Sequence, residues 1–239
     1  MLRRPFSLAG RRRGEDGRDI LDIIYRAVGT GTQWLSEIAP GVELSVLGPL
    51  GNTFDILPDK KVAALVAGGV GIPPMLYLAE ELAAAGKKIF AFCGAKTADL
   101  MPLSFADVES ISPAGDPVGA AESFGGKDVQ VAVATDDGSL GYGGMVGDVF
   151  IRWLEQNMRY SQAMTVYSCG PEGMMKAIGD ICVPRKMPCQ LALERHMACG
   201  MGTCQSCVVK IRDDSEQGWS FKLCCTDGPV FEALDVIWA

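Results

Sequence analysis

The chain has 239 residues, 48% of them apolar, and a formal charge of −7, which is enough for one large or two modest domains with true cores. With 29 acidic against 22 basic residues there is no Lys/Arg stripe to neutralise phosphates, which excludes a nucleic-acid binder. The one basic run, Arg11-Arg12-Arg13, is followed by Glu15 and Asp16 and reads as a solvated loop.

Residues 1–57 carry β-type patterning. Residues 19–28 are rich in β-formers, residues 42–47 partly alternate, and Gly48-Pro49-Leu50-Gly51 supplies turn chemistry after them. Between the two runs, Gly29-Thr30-Gly31-Thr32 opens a short helix over 33–38, and a Gly/Thr turn ahead of a helix suits an anion.

Residues 62–79 run without a charge, the length of a membrane-spanning helix. Gly68, Gly69, Gly71, Pro73 and Pro74 interrupt that run, so it reads as a strand over 62–67, a tight turn and a helix over 75–85 ending at Gly86. Strands follow over 89–93, 129–134, 164–169 and 190–193, with helices over 146–157 and 172–183. This alternation predicts a doubly wound parallel sheet with ligands at the carboxyl ends of its strands. Three glycine-bearing loops share that rim: 68–73, 135–139 with Asp136, and Cys169-Gly170-Pro171. Residues 112–127, rich in Ala, Ser, Gly and Pro, read as a surface insertion or mobile loop.

Nine cysteines without a secretory signal suit a reducing cytoplasm. Cys199, Cys204 and Cys207 follow the C-x4-C-x2-C spacing of plant-type ferredoxins, with a fourth thiolate supplied by Cys224 or Cys225, so a 2Fe-2S cluster is expected. Gly200 and Gly202 let backbone amides approach the sulfurs. Structural zinc would usually show two C-x2-4-C knuckles, and only Cys204 to Cys207 forms one. His196 lacks the second histidine that a Rieske centre needs and reads as a polar neighbour.

The order of parts resembles the electron-transfer subunit family of class 1B dihydroorotate dehydrogenase, within the ferredoxin reductase superfamily. The resemblance rests on Arg4-Pro5-Phe6-Ser7, Ile24-Tyr25-Arg26, Gly31-Thr32, the segment from Gly68 to Met75, Ala134 to Ser139, Ser168 to Pro171, Met197 to Cys204 and Asp227 to Phe231. It implies an N-terminal antiparallel flavin-binding β-barrel over 1–57, a nucleotide-binding α/β domain over 58–188 and a small cluster domain over 189–239. The Arg-Pro-x-Ser stretch begins at residue 4, whereas the family places it partway through the barrel, so an incomplete barrel is expected.

FAD would meet the N-terminal segments, NAD the glycine loops and Asp136, and the cluster Cys199, Cys204, Cys207 and, by the family's Gly-Pro-Val-Phe step, Cys225. Cys169 would sit beside the nicotinamide and flavin rings. The implied activity carries electrons from the FMN of a dihydroorotate dehydrogenase catalytic subunit through the cluster and FAD to NAD+, in pyrimidine biosynthesis, within a heterotetramer. The alternatives are a related NAD(P)H:ferredoxin oxidoreductase or hydrogenase subunit and, further off, a zinc-binding scaffold.

Overall fold

The computed structural model describes residues 3–118, 121–124 and 129–238. Its centre is a seven-stranded sheet of β3 (Val62–Gly68), β4 (Lys88–Ala95), β5 (Val129–Thr135), β6 (Tyr142–Gly143), β7 (Met164–Cys169), β8 (Cys189–Ala192) and β11 (Val230–Glu232). The order is β11-β8-β7-β3-β4-β5-β6, parallel except for β11, which runs antiparallel to β8. All seven residues of β3 are buried, as expected of a central parallel strand covered on both faces.

One face packs α3 (Val146–Gln156) and α4 (Glu172–Cys182) over Ala64, Val66, Phe92 and Val166. The other packs α2 (Ile72–Ala84) over Ala63, Leu65, Ala91 and Val131. Pro73 and Pro74 occupy the first turn of α2, where a missing N–H costs nothing. That helix stops at Gly86, which takes φ +69, the left-handed conformation that favours glycine. From β3 the chain steps outward through β4 to β5, then crosses back to β7 and β8 on the opposite side. The order therefore reverses between β3 and β7, and such a switch point opens a ligand crevice at the carboxyl ends of the strands.

Residues 112–127 differ from the expected surface insertion where they are described. Val118 pairs with Val131, and Ala121 and Phe124 are buried against the α2 face together with Ile111, because this segment covers sheet that α2 alone leaves open. Positions 119–120 and 125–127 of that expected insertion lie outside the described residues.

The N-terminal part also departs from expectation. Among the described residues it pairs only β1 (Gly10–Arg13) with β2 (Asp19–Asp22), and no closed barrel is found. The predicted strand over 19–28 ends at Asp22, and the one over 42–47 does not form. Strand propensity needs a neighbour to pair with, and here Val28, Val42 and Val46 are 70%, 51% and 79% exposed. The helix after the Gly/Thr turn is present as α1 (Thr30–Glu37), three residues earlier than expected.

A three-stranded antiparallel sheet, β10-β9-β12, is built from β9 (Val208–Arg212), β10 (Trp219–Leu223) and β12 (Val236–Ile237). Its inner residues Val209, Ile211 and Val236 join the α3/α4 core, so the cysteine-rich segment is packed onto the parallel sheet.

Candidate functional site

Two of the three predicted rim loops meet at the switch point. A Cβ added to Gly71 would collide with the carbonyl of Cys169 and the amide of Gly170, and one on Gly68 would lie 3.0 Å from Pro171 Cδ. These glycines are required because the β3 and β7 turns press together. Gly69, at φ +55, has open space beside it, while Pro73 is buried in α2. Asp136 is exposed at the end of β5, two strand positions from β3, roughly 10 Å along the rim. Its loop is fixed by Asp137, whose carboxyl accepts from the Ser139 amide at 3.0 Å and is held below the usual carboxylate range by that serine.

Gly71→Ala is therefore expected to force the two turns apart. Overpacking against backbone costs about 1–3 kcal/mol, which lowers the thermal midpoint of a chain this long by roughly 2–12 °C. A midpoint equal to that of the wild type in a thermal melt would refute the contact.

Two adjoining cavities lie on this side of the molecule. One, of about 500 Å³, is lined by Arg4, Pro5, Phe6, Gly31 and Thr32 of the predicted flavin set, facing Glu194 to Met197. The other, of about 420 Å³, runs over Gly170 and the start of α4 and shares Glu194, Arg195 and His196.

The Arg4 guanidinium stands over Gly31, 3.3 Å from where a Cβ would be, and Gly31 is the buried residue of α1. Thr32 uses its hydroxyl locally, accepting from the amides of Val28 and Gly29 at 3.0 and 3.2 Å. The first-turn amides of α1 have no intrahelical acceptor, so they and Arg4 form a cationic seat suited to a phosphate. Phe6 packs edge-on to Tyr25 at 5.8 Å. Ser7, Ile24 and Arg26 are exposed nearby but do not line the cavity.

Of the wall at residues 194–197, whose first three face both cavities, the sequence points to His196 as a polar neighbour and to Met197 as the start of the cysteine motif but misses Glu194 and Arg195. The available signal was their place at the carboxyl end of β8, on the same rim as the glycine loops. Arg195 anchors the wall through a 2.8 Å ion pair to Glu172 at the start of α4. Cys169, beside this wall, is a neutral thiol: burial pushes it up to about 12, and the charge of Glu194 adds to the shift.

Beyond the wall the chain enters the cysteine loop. Gly200 and Gly202 take φ +71 and +82, turning the amides of Met201 and Cys204 onto Cys199 Sγ, each at 3.4 Å. The register pairs Leu223 with Val208, so the residues next to them, Cys224 and Cys207, come together, and the Cys224 amide donates to the Cys207 carbonyl at 3.1 Å. Cys224 is 0% exposed and its thiol is pushed up to about 12 by burial. Cys225 is the one that faces the loop: its thiol is raised by burial, then by a hydrogen bond with Cys207, and it also meets the Gly202 amide.

Among the described residues no three His, Cys, Asp or Glu side chains converge as on a single ion. Cys204 contacts Cys199, and Cys225 contacts Cys207. Two pairs of thiols wrapped by inward-turned amides fit a two-iron cluster better than one zinc.

The predicted Gly48–Gly51 turn and the residues flanking it support this loop. Leu50 and Leu47 lie 3.0 and 3.6 Å from the Cβ position of Gly200, and Asn52 Nδ2 donates to the carbonyls of Asp227 and Val230 at 3.1 and 2.8 Å.

Cys204 is exposed and pushed down to about 6, first by the Ser206 hydroxyl and then by the Ser206 and Cys199 backbone. A lowered thiol pKa leaves thiolate above that pH, and the thiolate is the nucleophile. In chelator-treated protein at pH 8, iodoacetamide is expected to label Cys204 first and well before Cys169, as read by peptide mass spectrometry. Equal labelling of the two would contradict these environments.

Comparison with known proteins gives the following. Residues 194–237 match the family model for the iron-sulfur cluster binding domain of dihydroorotate dehydrogenase B. The electron transfer subunit of dihydroorotate dehydrogenase B (NAD(+)) from Caldanaerobacter subterraneus subsp. tengcongensis is 35% identical over 99% of this chain and 81% of its own. That from Geobacillus thermodenitrificans is 36% identical over 99% and 80%. Among solved structures, an NADH-dependent reduced ferredoxin-NADP oxidoreductase described in connection with flavin-based electron bifurcation aligns with a TM-score of 0.70 at 27% identity, over 97% of this chain and 80% of that one. No helix among the described residues is long and apolar enough to cross a membrane.

Proposed function

Since the chain belongs to the family of dihydroorotate dehydrogenase B (NAD(+)) electron-transfer subunits, we propose that its two cavities and its cysteine loop form one electron-transfer site. It is an oxidoreductase subunit that works with 2Fe-2S, FAD and NAD and has the dihydroorotate-oxidising catalytic subunit as its partner. When bound, the flavin exchanges single electrons with the cluster and a hydride with nicotinamide, and this two-way capacity places it between them.

The chain's own residues supply position. Arg4 and the first turn of α1 hold the FAD pyrophosphate, and Phe6 with Tyr25 walls the flavin side. The switch-point glycines admit NAD, with Gly69 offering the open backbone and Asp136 lying farther along the rim. Cys169, neutral at physiological pH, serves as a small partner beside the reacting rings rather than as a base. Cys199, Cys204, Cys207 and Cys225 hold the cluster. The site works in the cytoplasm, where thiols stay reduced.

The observation that carries this reading is the wall at residues 194–197. It borders the cavity of Arg4 and Gly31 and leads directly into Cys199, so a flavin seat and a cluster loop are joined by one short stretch of backbone. The ferredoxin-type alternative is less favoured, because identity to that structure is 27% against 35% for the dihydroorotate dehydrogenase subunit.

The test is to quantify iron, sulfide, zinc and FAD in anaerobically purified protein. The protein is then mixed with the FMN-bearing catalytic subunit and dihydroorotate, and NADH formation is followed. Two irons, two sulfides and one FAD per chain with NADH produced is the expected result; zinc in place of iron, or NADH formation unaffected by leaving this chain out, sinks the reading.

A further inference from the structure

Ser206 lies between the last two cysteines of the C-x4-C-x2-C run and has no role in the spacing argument. Its hydroxyl oxygen is 3.2 Å from Cys204 Sγ and 3.3 Å from the carbonyl oxygen of His196. His196 belongs to the wall shared by both cavities. One hydroxyl thus touches a candidate cluster sulfur on one side and the wall of the flavin cavity on the other.

The backbone is bent to achieve this. Gln205, between Cys204 and Ser206, takes φ +57, a left-handed conformation uncommon for any residue but glycine and enriched mainly in Asn and Asp. That turn folds residue 206 back onto the sulfur of residue 204. A non-glycine residue held in such a conformation marks a place where the surroundings over-determine the chain.

A serine hydroxyl carries one hydrogen, and a metal-bound thiolate has none to give. With a cluster on Cys204, the Ser206 hydrogen must therefore choose between the Cys204 sulfur and the His196 carbonyl. A hydrogen bond donated to a cluster sulfur stabilises the more electron-rich, reduced form and raises the reduction potential. The pull of the sulfur on the hydrogen grows when an electron arrives and weakens when it leaves.

Resting on the cluster assignment above, we propose that Ser206 is a positioning residue that sets the cluster's reduction potential by donating to Cys204 Sγ, with the His196 carbonyl as its alternative acceptor. Through that second acceptor it also ties the cysteine loop to the wall of the flavin cavity.

The test is an EPR-monitored redox titration of the anaerobically purified protein carrying its cluster, comparing wild type with Ser206→Ala and Ser206→Thr, and with iron and sulfide counted in each. Ser206→Ala is expected to keep two irons and two sulfides and to shift the midpoint to more negative potential, by about tenfold in the oxidised-to-reduced ratio, or about 59 mV for one electron. Ser206→Thr, which keeps the hydroxyl, is expected to restore most of the shift.

A fully loaded Ser206→Ala protein with an unmoved midpoint would overturn the proposal. So would a cluster lost in both Ser206→Ala and Ser206→Val and kept in Ser206→Thr, since the hydroxyl would then serve assembly and not potential. If the Ala variant loads poorly for lack of bulk, Ser206→Val against Ser206→Thr reads the same hydroxyl at matched shape, and equal midpoints in that pair are equally fatal. Absence of iron and sulfide from the wild type would instead sink the underlying cluster assignment, a separate and recognisable result.

Discussion

Replacing Cys225 with serine is expected to strip the protein of its iron and sulfide, while replacing Cys224 with serine leaves the cluster in place. The two residues are neighbours in sequence, and both are buried. What separates them is direction. The Cys225 thiol contacts Cys207 and feels the charge of Cys199, with the Gly202 amide beside it. Both residues pack in the apolar core that β9 shares with α3 and α4, but the Cys224 thiol is raised by burial first and feels Cys207 and Cys225 only through their charge.

Loss of a ligand should cost more than the roughly 10–100-fold in metal affinity or activity that follows loss of an outer hydrogen-bond partner. Electron transfer from the catalytic subunit's FMN to NAD+ should then fall by more than that. Cys224→Ser instead introduces an unpartnered hydroxyl into a dry site, at about 1–3 kcal/mol, seen as a lower thermal midpoint with iron content unchanged. The measurement is iron and sulfide per chain in the two variants. Loss of iron from Cys224→Ser, with retention in Cys225→Ser, would reverse the assignment.

The central sheet was legible because its strands are near-continuous apolar runs bounded by glycine and proline, a pattern set locally. Residues 62–68 became β3 and residues 172–182 became α4 close to where periodicity places them. The stretch that matches the iron-sulfur binding domain was legible for the same reason, since Cys199, Cys204 and Cys207 lie within nine residues of chain. What could not be read was anything set by tertiary neighbours.

Strand formation over 23–28 and 42–47 depends on a pairing partner, and the chain's own pattern cannot say whether one is present. The choice between Cys224 and Cys225 depends on the register of Leu223 with Val208. Glu194 and Arg195 carry no motif, and the role of the 194–197 wall follows from the pairing of β8 with β7, which brings the end of β8 beside the Cys169-Gly170 turn. Leu50 reads as turn chemistry, Leu47 as the end of a strand and Asn52 as nothing in particular, yet together they brace the cysteine loop and the Asp227 to Val230 turn, a task set by long-range contact.

Arg4→Ala is expected to release FAD while leaving the cluster loaded. The Arg4 guanidinium lies over Gly31 at the start of α1, where helix dipole and side-chain charge add on the same side of the cavity. A pyrophosphate carries charge that a guanidinium can meet with two parallel hydrogen bonds, and hydrogen bonds to charged groups contribute about 1.5–3 kcal/mol. Removing them weakens binding roughly 10–100-fold. Arg4→Lys should recover only part of the loss, because an ammonium keeps the charge without the planar fork.

Raising salt should narrow the gap between wild type and Arg4→Ala, since this contact lies at an exposed residue where ions screen it. Titration of flavin-stripped protein with FAD, followed by fluorescence quenching, measures the wild type and both variants. Gly31→Ala is a second probe of the same seat, since its methyl would press on the guanidinium at 3.3 Å and displace it without removing charge. Equal FAD affinity in wild type, Arg4→Ala and Gly31→Ala would mean that the flavin phosphate lies elsewhere, and the cavity beside the 194–197 wall would lose its claim to be the flavin seat.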